Sequence, residues 1–291
     1  MTADALEAFC DRWSAATPEL AMSQAAAQTT AEFVGSLPID PGMLAARFGA
    51  SVAIAAPASG KLDDHGQLRV RDGRWHIRVP RELSQERRRF SVAHEIGHIL
   101  LFDAVVDQPE LIRQLRSKSL FARVERLCNI GAAHLLMPTV VFRSALTELL
   151  PPTGDTVEGL AARFRVSLEA AARRIVEVAP EWSVIFWEMA MTHPRGPAWR
   201  TANQHHREGA AFLPSGLSSS RLTPDVVSAA AESGSASADT VIADLPGVAT
   251  MREANAWYVP RGRFELADVE GPTYRGGDRV FVFYRAQLDN A

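Results

Sequence analysis

The stretch that most constrains the fold is FSVAHEIGHILLF at residues 90–102, where two histidines stand four residues apart in an apolar run. Residues at this spacing project from one face of an α-helix, so His94 and His98 can grip a single ion. Two neutral imidazoles suit zinc, and Glu95 between them suits the general base that takes a proton from water. A buried helix whose histidines find ordinary hydrogen-bond partners is the alternative interpretation.

A catalytic zinc site needs a third protein ligand, which restricts what can pack beside this helix. Residues 121–137 have apolar residues at helical spacing and no proline before Pro138, which predicts a second long helix. Glu125 and Asn129 are four residues apart on one face of that helix, and His134 falls on the opposite side. Glu125 is therefore the candidate third ligand, with Asn129 as a polar partner behind the ligands. The alternative for Glu125 is a surface carboxylate paired with a neighbouring arginine.

Two stretches of sequence together carry a family resemblance. RRRFSVAHEIGHILLF at 87–102 and VERLCNIGAAHLLMP at 124–138 resemble the ImmA/IrrE-type metallopeptidases, which are bacterial zincin-like proteins that cleave repressors. The similarity runs from about Ile39 to about Val178, less than half of the chain. One departure is His134, where many members carry an acidic residue, but its position opposite the ligand face puts little in doubt.

The resemblance implies a metal-dependent endopeptidase with a gluzincin-like HExxH site. In this arrangement His94, His98 and Glu125 hold the ion, and Glu95 is the catalytic base. Zn²⁺ is the expected cofactor, with Mn²⁺ as a competitor for the same ligands in the cell. The implied partner is a protein substrate, a helix-turn-helix transcriptional repressor whose cleavage relieves repression of stress-response or mobile-element genes.

Composition and charge predict a cytoplasmic globular protein. With 291 residues, 47% hydrophobic and 22% charged, the chain can bury a full core and has room for two domains. The N-terminus does not have the pattern of a signal peptide, and the longest apolar runs are too short to span a bilayer, so no membrane partner is expected. Cys10 and Cys128 are predicted to be structural. A net charge of −3 gives no global attraction to nucleic acid.

Upstream of the HExxH pattern, the sequence predicts helices, a strand and a hairpin. Residues 1–36 are mostly helical in pattern, residues 42–50 predict a short helix, and SVAIAAP at 51–57 alternates like a strand. GQLRVRDGRWHIRVP at 66–80 predicts a hairpin, because alternating apolar residues flank an Asp72-Gly73 turn. A strand next to the metal-binding helix is where zincin-like folds dock an extended substrate, although a plain edge hairpin has the same pattern.

Residues 151–180 look like a helix-turn-helix segment. Short helices are predicted at about 157–164 and 168–177, with Ser167 capping the second. Four arginines and four acidic residues between 155 and 178 cancel, whereas a DNA-binding surface concentrates positive charge. The segment is therefore predicted to pack or to recognise a protein, and DNA binding is not expected.

The last third of the chain predicts mostly strands. WSVIFWEMAM at 182–191 reads as a strand, and residues 214–240, rich in Ser and Ala, predict a loop with one short helix. Two further strand patterns follow at 255–269 and 276–287. The second of them is apolar on both faces, as expected for an interior strand.

These patterns together predict an α+β protein in three parts. They are a domain at 1–150, a helix-turn-helix-like segment at 151–180, and a smaller α+β C-terminal domain at 181–291. The family resemblance implies that the first is a zincin-like metallopeptidase domain and that the last is a candidate sensor. A second hypothesis is a DNA-binding or sensor regulator with a non-catalytic zincin-like module. A third is a metal hydrolase acting on a small molecule, because the ligands leave substrate choice to the cleft.

Overall fold

A computed structural model of the chain describes residues 4–56, 66–190, 197–206, 213–260 and 278–285. The chain forms two units. The first comprises Met1–Ser144 and Leu160–Ala170, and the second comprises Ala145–Gly159 and Ala171–Ala291. The first unit holds helices and a small sheet, and the second is built around a larger sheet, so the predicted α+β class is confirmed.

Helices dominate the first half of the chain, and polar side chains cap several of them. Asp4, Thr17, Asp40 and Ser84 accept hydrogen bonds from backbone N–H groups two or three residues ahead, which satisfies otherwise unpaired donors. The helices are α1 (Ala5–Arg12), α2 (Pro18–Thr30), α3 (Pro41–Arg47), α4 (Gln85–Ala104), α5 (Pro109–Leu115), α6 (Phe121–Leu136) and α7 (Thr139–Thr147). Within the described residues no single helix is long and apolar enough to cross a membrane, although α6 and α7 together reach that length across a 60° bend.

Helix α6 packs against both α4 and α2, and glycines make the close approach possible. A Cβ atom on Gly97 of α4 would lie 2.9 Å from Cα of Cys128 on α6. One on Gly131 of α6 would lie 2.8 Å from the sulfur of Met22 on α2. The backbones of α4 and α6 therefore run nearly in contact, which brings their polar side chains within bonding distance of each other.

Replacing Gly97 with Ala is expected to destabilise the first unit by about 1–3 kcal/mol, because the added methyl group meets backbone atoms that cannot rotate away. Thermal unfolding followed by circular dichroism measures this effect. The midpoint should fall by about 2–4 °C for each kcal/mol lost.

Gly159→Ala is the matched control for that measurement. Gly159 is also helical, yet a Cβ there would meet nothing within 4 Å. This change should leave the midpoint unchanged or raise it slightly, since Ala has the higher helix propensity. A Gly97→Ala protein as stable as the wild type would contradict the close packing of α4 on α6.

A three-stranded sheet in the first unit comprises β1 (Ser51–Ala55), β2 (Gln67–Arg71) and β3 (Arg74–Pro80) in the order β1-β3-β2. β2 and β3 form the predicted hairpin, and φ values of 50° at Asp72 and 71° at Gly73 mark its tight turn. β1 runs parallel to β3, a pairing that the sequence pattern does not predict. β2 contacts α4 and lies at the end of the strand order, so it is an edge strand.

The second unit is built on a six-stranded antiparallel sheet in the order β5-β4-β9-β8-β7-β6. Helix α10 (Val226–Ser233) packs against β7, β8 and β9. Residues 280–284 of β9 are all buried, which confirms the predicted interior strand. The strands are β4 (Trp182–Ala190), β5 (Ala198–His205), β6 (Leu222–Thr223), β7 (Ser235–Ala243), β8 (Ala249–Val259) and β9 (Arg279–Arg285).

The prediction of a loop with one short helix over residues 214–240 is wrong in part. The helix is α10, but Leu222–Thr223 and Ser235–Ala243 are strands. The first half of β7, Ser-Ala-Ser-Ala-Asp, has little intrinsic preference for a strand, so it owes its conformation to pairing with β8. Parts of the predicted elements lie outside the described residues, namely 1–3, 57, 191, 261–269, 276–277 and 286–287.

The two helices predicted after residue 151 are present as α8 (Gly154–Phe164) and α9 (Leu168–Val178). The hydroxyl of Ser167 accepts a hydrogen bond from the backbone N–H of Ala170, so the predicted cap is confirmed. One arginine of this segment is buried, because Arg174 is 2% exposed and lies 2.6 Å from a carboxylate oxygen of Glu177. Arg174 is therefore not available to a phosphate group of DNA.

Candidate metal centre

The two histidines of α4 face the same side of the helix, as their spacing predicts. The side chains of His94 and His98 are 15% and 17% exposed, and their ring centroids are 5.1 Å apart. Burial lowers the pKa of His94, which favours the neutral ring at pH 7. A neutral imidazole presents a lone pair that a metal ion can use.

Glu125 on α6 lies against both imidazoles. One carboxylate oxygen is 3.2 Å from Nε2 of His94, and the other is 3.3 Å from Nε2 of His98. The hydrogen bond from His98 lowers the pKa of Glu125, so the group is ionised at neutral pH. Ligand atoms bound about 2.0–2.1 Å from a tetrahedral zinc ion lie about 3.3–3.4 Å from one another, which is the distance that separates each imidazole from a Glu125 oxygen.

Cys128 is another donor close to the two imidazoles. Its sulfur lies within 4.8 Å of a ring nitrogen of each histidine. The residue is fully buried beneath Gly97, and burial raises the pKa of the Cys128 thiol well above its usual value. Because thiols bind metals as thiolates, Cys128 is a poorer third ligand than the ionised Glu125. The sequence analysis recognised Cys128 as a core residue but not its proximity to the site.

Asn129 contacts the ring nitrogen of His94 that does not face Glu125. Its side-chain oxygen is 3.0 Å from Nδ1 of His94. In the tautomer with the proton on Nδ1, that nitrogen donates to the amide oxygen and Nε2 has a lone pair for a metal ion. Partners of this kind orient a metal-binding histidine and fix its tautomer.

Glu95 is a buried carboxylate covered by the start of β2. Its side chain is 5% exposed, and burial raises the pKa of Glu95 to about 7. The backbone N–H of Leu68 donates a hydrogen bond to the carboxylate. A Cβ atom on Gly66 would lie 2.8 Å from Oε1 of Glu95, so the chain passes directly over this group. A base with a pKa near 7 is suited to accepting a proton at neutral pH.

These residues lie in a cleft of about 740 Å³ between β2 and the helices α4 and α6. The side chains of Trp75, Phe102, Arg116 and Phe121 also line it. The sequence analysis did not identify these four residues. Only Phe102 carries a signal that a pattern search can find, because it continues the four-residue spacing that starts at His94 and His98.

The structure brings the five predicted site residues together on two neighbouring helices. Glu125 contacts the two histidines and not Arg123 or Arg126, so the surface ion pair considered for it is absent among the described contacts. His134 lies elsewhere on α6, where its Nδ1 is 2.9 Å from the hydroxyl of Ser23. Of the two α6 side chains that the sequence offers, Glu125 therefore lies beside the imidazoles and His134 does not.

Comparison with known proteins finds relatives of this part of the chain. Residues 45–176 match the family of IrrE N-terminal-like domains, peptidase family M78. A stretch of 101 residues is 37% identical to the radiation response metalloprotease IrrE of Deinococcus deserti, covering 35% of this chain and 36% of that protein. The protein of the same name from Deinococcus radiodurans is 37% identical over 95 residues, covering 33% of this chain and 29% of that protein. The chain thus matches about a third of the length of these curated relatives.

A solved structure has a similar fold. A Mycobacterium tuberculosis transcriptional regulator matches with a TM-score of 0.55 and 18% sequence identity. The match covers 96% of this chain and 92% of that chain. At this level of identity the likeness shows a shared fold alone.

Proposed function

Because residues 45–176 belong to the ImmA/IrrE-type metallopeptidase family, we propose that the protein is a zinc-dependent endopeptidase that cleaves a helix-turn-helix transcriptional repressor. Cleavage would relieve repression of stress-response or mobile-element genes in the cytoplasm. The observation that carries the proposal is the contact of one Glu125 carboxylate with two imidazoles, beside the buried Glu95. The metallopeptidase domain would span residues 1–150, followed by the segment 151–180 and the domain 181–291.

In the proposed reaction three side chains bind the metal ion and a fourth transfers the proton. His94, His98 and Glu125 would hold Zn²⁺, which supplies a Lewis acid that polarises a carbonyl and makes water more acidic. Glu95 takes the proton from the attacking water and delivers it to the leaving amine. The N–H of Leu68 orients the Glu95 carboxylate for both transfers.

The edge strand β2 supports an extended protein substrate. Residues 66–70 line the cleft, and β2 ends the described sheet, so its outer backbone groups are placed to pair with another strand. A segment that binds in this way passes beside His94 and Glu95, which line the same cleft. The strand β2, which the sequence predicts to bind an extended substrate, therefore lies where such a segment would pass the candidate site.

The proposal is tested by incubating the protein, loaded with Zn²⁺ or Mn²⁺, with the helix-turn-helix repressor encoded beside it. Intact-mass spectrometry should reveal two fragments, and a chelator should prevent their formation. A repressor that stays intact after long incubation with either metal, under inducing conditions, would count against the proposal. Salt-dependent binding to duplex DNA, without cleavage, would favour the regulator with a non-catalytic zincin-like module instead.

Replacing Gly66 with Ala is expected to lower the cleavage rate by about tenfold to a hundredfold, because the new methyl group pushes the Glu95 carboxylate from its position. Zinc content per chain should not change, since Glu95 is not a proposed ligand. The measurement compares kcat and bound metal for the variant and the wild type.

Two further variants make the Gly66 prediction specific. Gly35→Ala is the control, because a Cβ there would meet nothing within 4 Å. Combining Gly66→Ala with Glu95→Asp, which shortens the displaced side chain, should cost less than the product of the two single losses. Strictly multiplicative losses would show that Gly66 acts independently of Glu95.

A further inference from the structure

Beyond the candidate ligands, the cleft continues as a row of nearly parallel rings. The His98 and Phe102 centroids are 6.4 Å apart at an interplanar angle of 21°, and those of Phe102 and Trp75 are 5.9 Å apart at 17°. The row starts at a candidate metal ligand. A group that rests on these rings would therefore lie next to the reacting atoms.

The cleft also leaves large apolar side chains in contact with water. Phe121 at the start of α6 is 63% exposed, and Val70 of β2 is 51% exposed. Both residues line the cleft. Apolar surface gathered at a concave site and left exposed favours burial by a ligand.

Two arginines belong to the lining of this cleft. Apart from the residues of the metal centre, Arg69 and Arg116 are the charged residues that line the described cleft. The guanidinium carbon of Arg116 lies 5.3 Å from the centroid of the Phe102 ring, a cation–π distance. Arg69 donates a hydrogen bond to the side-chain oxygen of Gln67. Neither partner is an anion, so the exposed apolar surface is what favours an apolar occupant, and the arginines would favour an acidic one.

We propose that Trp75, Phe102 and Phe121, here called the aromatic wall, form a subsite for a large apolar side chain on a residue that flanks the scissile bond. This inference rests on the proposed endopeptidase function and narrows its substrates to sites with residues such as Leu, Met or Phe. Glycine at that position would leave the wall in water. Hydrophobic pockets discriminate by about 10–200-fold between side chains that differ in size.

The test measures binding and does not need turnover. The zinc-loaded full chain is titrated calorimetrically with small hydroxamates, chelators that carry one side chain next to the metal-binding group, on either side of it. The Leu and Phe derivatives should bind about tenfold or more tightly than the Gly derivative. Equal binding of all derivatives would overturn the aromatic wall, and tightest binding of a Glu derivative would assign the subsite to Arg116. No binding of any hydroxamate to zinc-loaded protein would overturn the wall and the metal centre together.

Two single-residue variants test whether the aromatic wall, and not another exposed apolar residue, determines this binding preference. Phe121→Ala should reduce the preference for Phe over Gly to about threefold or less, with zinc per chain unchanged. Met43→Ala is the matched control, because Met43 is 58% exposed and lies outside the cleft lining. A Phe121→Ala protein that keeps the full preference would contradict the role of Phe121. Hydroxamate binding with the expected preference, but no cleavage of any peptide, would support the wall and refute the endopeptidase function.

Discussion

Replacing Glu95 with Gln is expected to lower repressor cleavage by about 10²–10⁴-fold while the bound zinc stays unchanged. The amide keeps the size of the carboxylate but cannot take a proton from water. Glu95 is not among the proposed ligands, and its carboxylate is held by the N–H of Leu68 instead. Cleavage is followed by the rate of fragment appearance, and metal by elemental mass spectrometry on the same preparations.

The matched control for this variant is Glu110→Gln. Glu110 lies on α5 with its side chain 68% exposed, and it forms a surface ion pair with Arg113. Removing this ion pair should leave both the cleavage rate and the metal content unchanged, because exposed ion pairs contribute little to stability. Full cleavage by metal-loaded Glu95→Gln protein would refute Glu95 as the base.

Replacing Glu125 with Gln is expected to reduce bound zinc from about one ion per chain to a small fraction of that value. The change removes the negative charge that contacts both imidazoles and leaves two protein ligands, too few for a stable catalytic site. Cleavage should be lost together with the metal. Elemental mass spectrometry after dialysis against zinc, then against buffer, measures the stoichiometry.

Cys128→Ser distinguishes the two donors that α6 places near the histidines. If Glu125 is the third ligand, the serine variant should retain about one zinc per chain, because the buried thiol stays protonated. Zinc loss in Cys128→Ser together with zinc retention in Glu125→Gln would assign the metal to His94, His98 and Cys128 instead. No zinc in the wild type after the same dialysis would favour the non-catalytic regulator.

Several features of this protein follow from the sequence alone because they depend on local geometry. The four-residue spacing places His94 and His98 on one helical face, whatever surrounds the helix. The Asp72-Gly73 dipeptide specifies the hairpin turn, because both residues tolerate the positive φ that it needs. Glu125 could be selected as a candidate because the same periodicity separates it from His134 on the second helix.

Other features depend on contacts between residues far apart in the sequence. The first half of β7, Ser-Ala-Ser-Ala-Asp, has little strand preference of its own and is held in the sheet by pairing with β8. The raised pKa of Glu95 comes from burial of its carboxylate, over which Gly66 passes directly. Trp75 joins the aromatic wall only when the hairpin packs beside α4. Periodicity in the sequence determined which side chains share a helical face. Burial, strand pairing and the shape of the cleft were decided by tertiary packing, because they depend on contacts that no local pattern encodes.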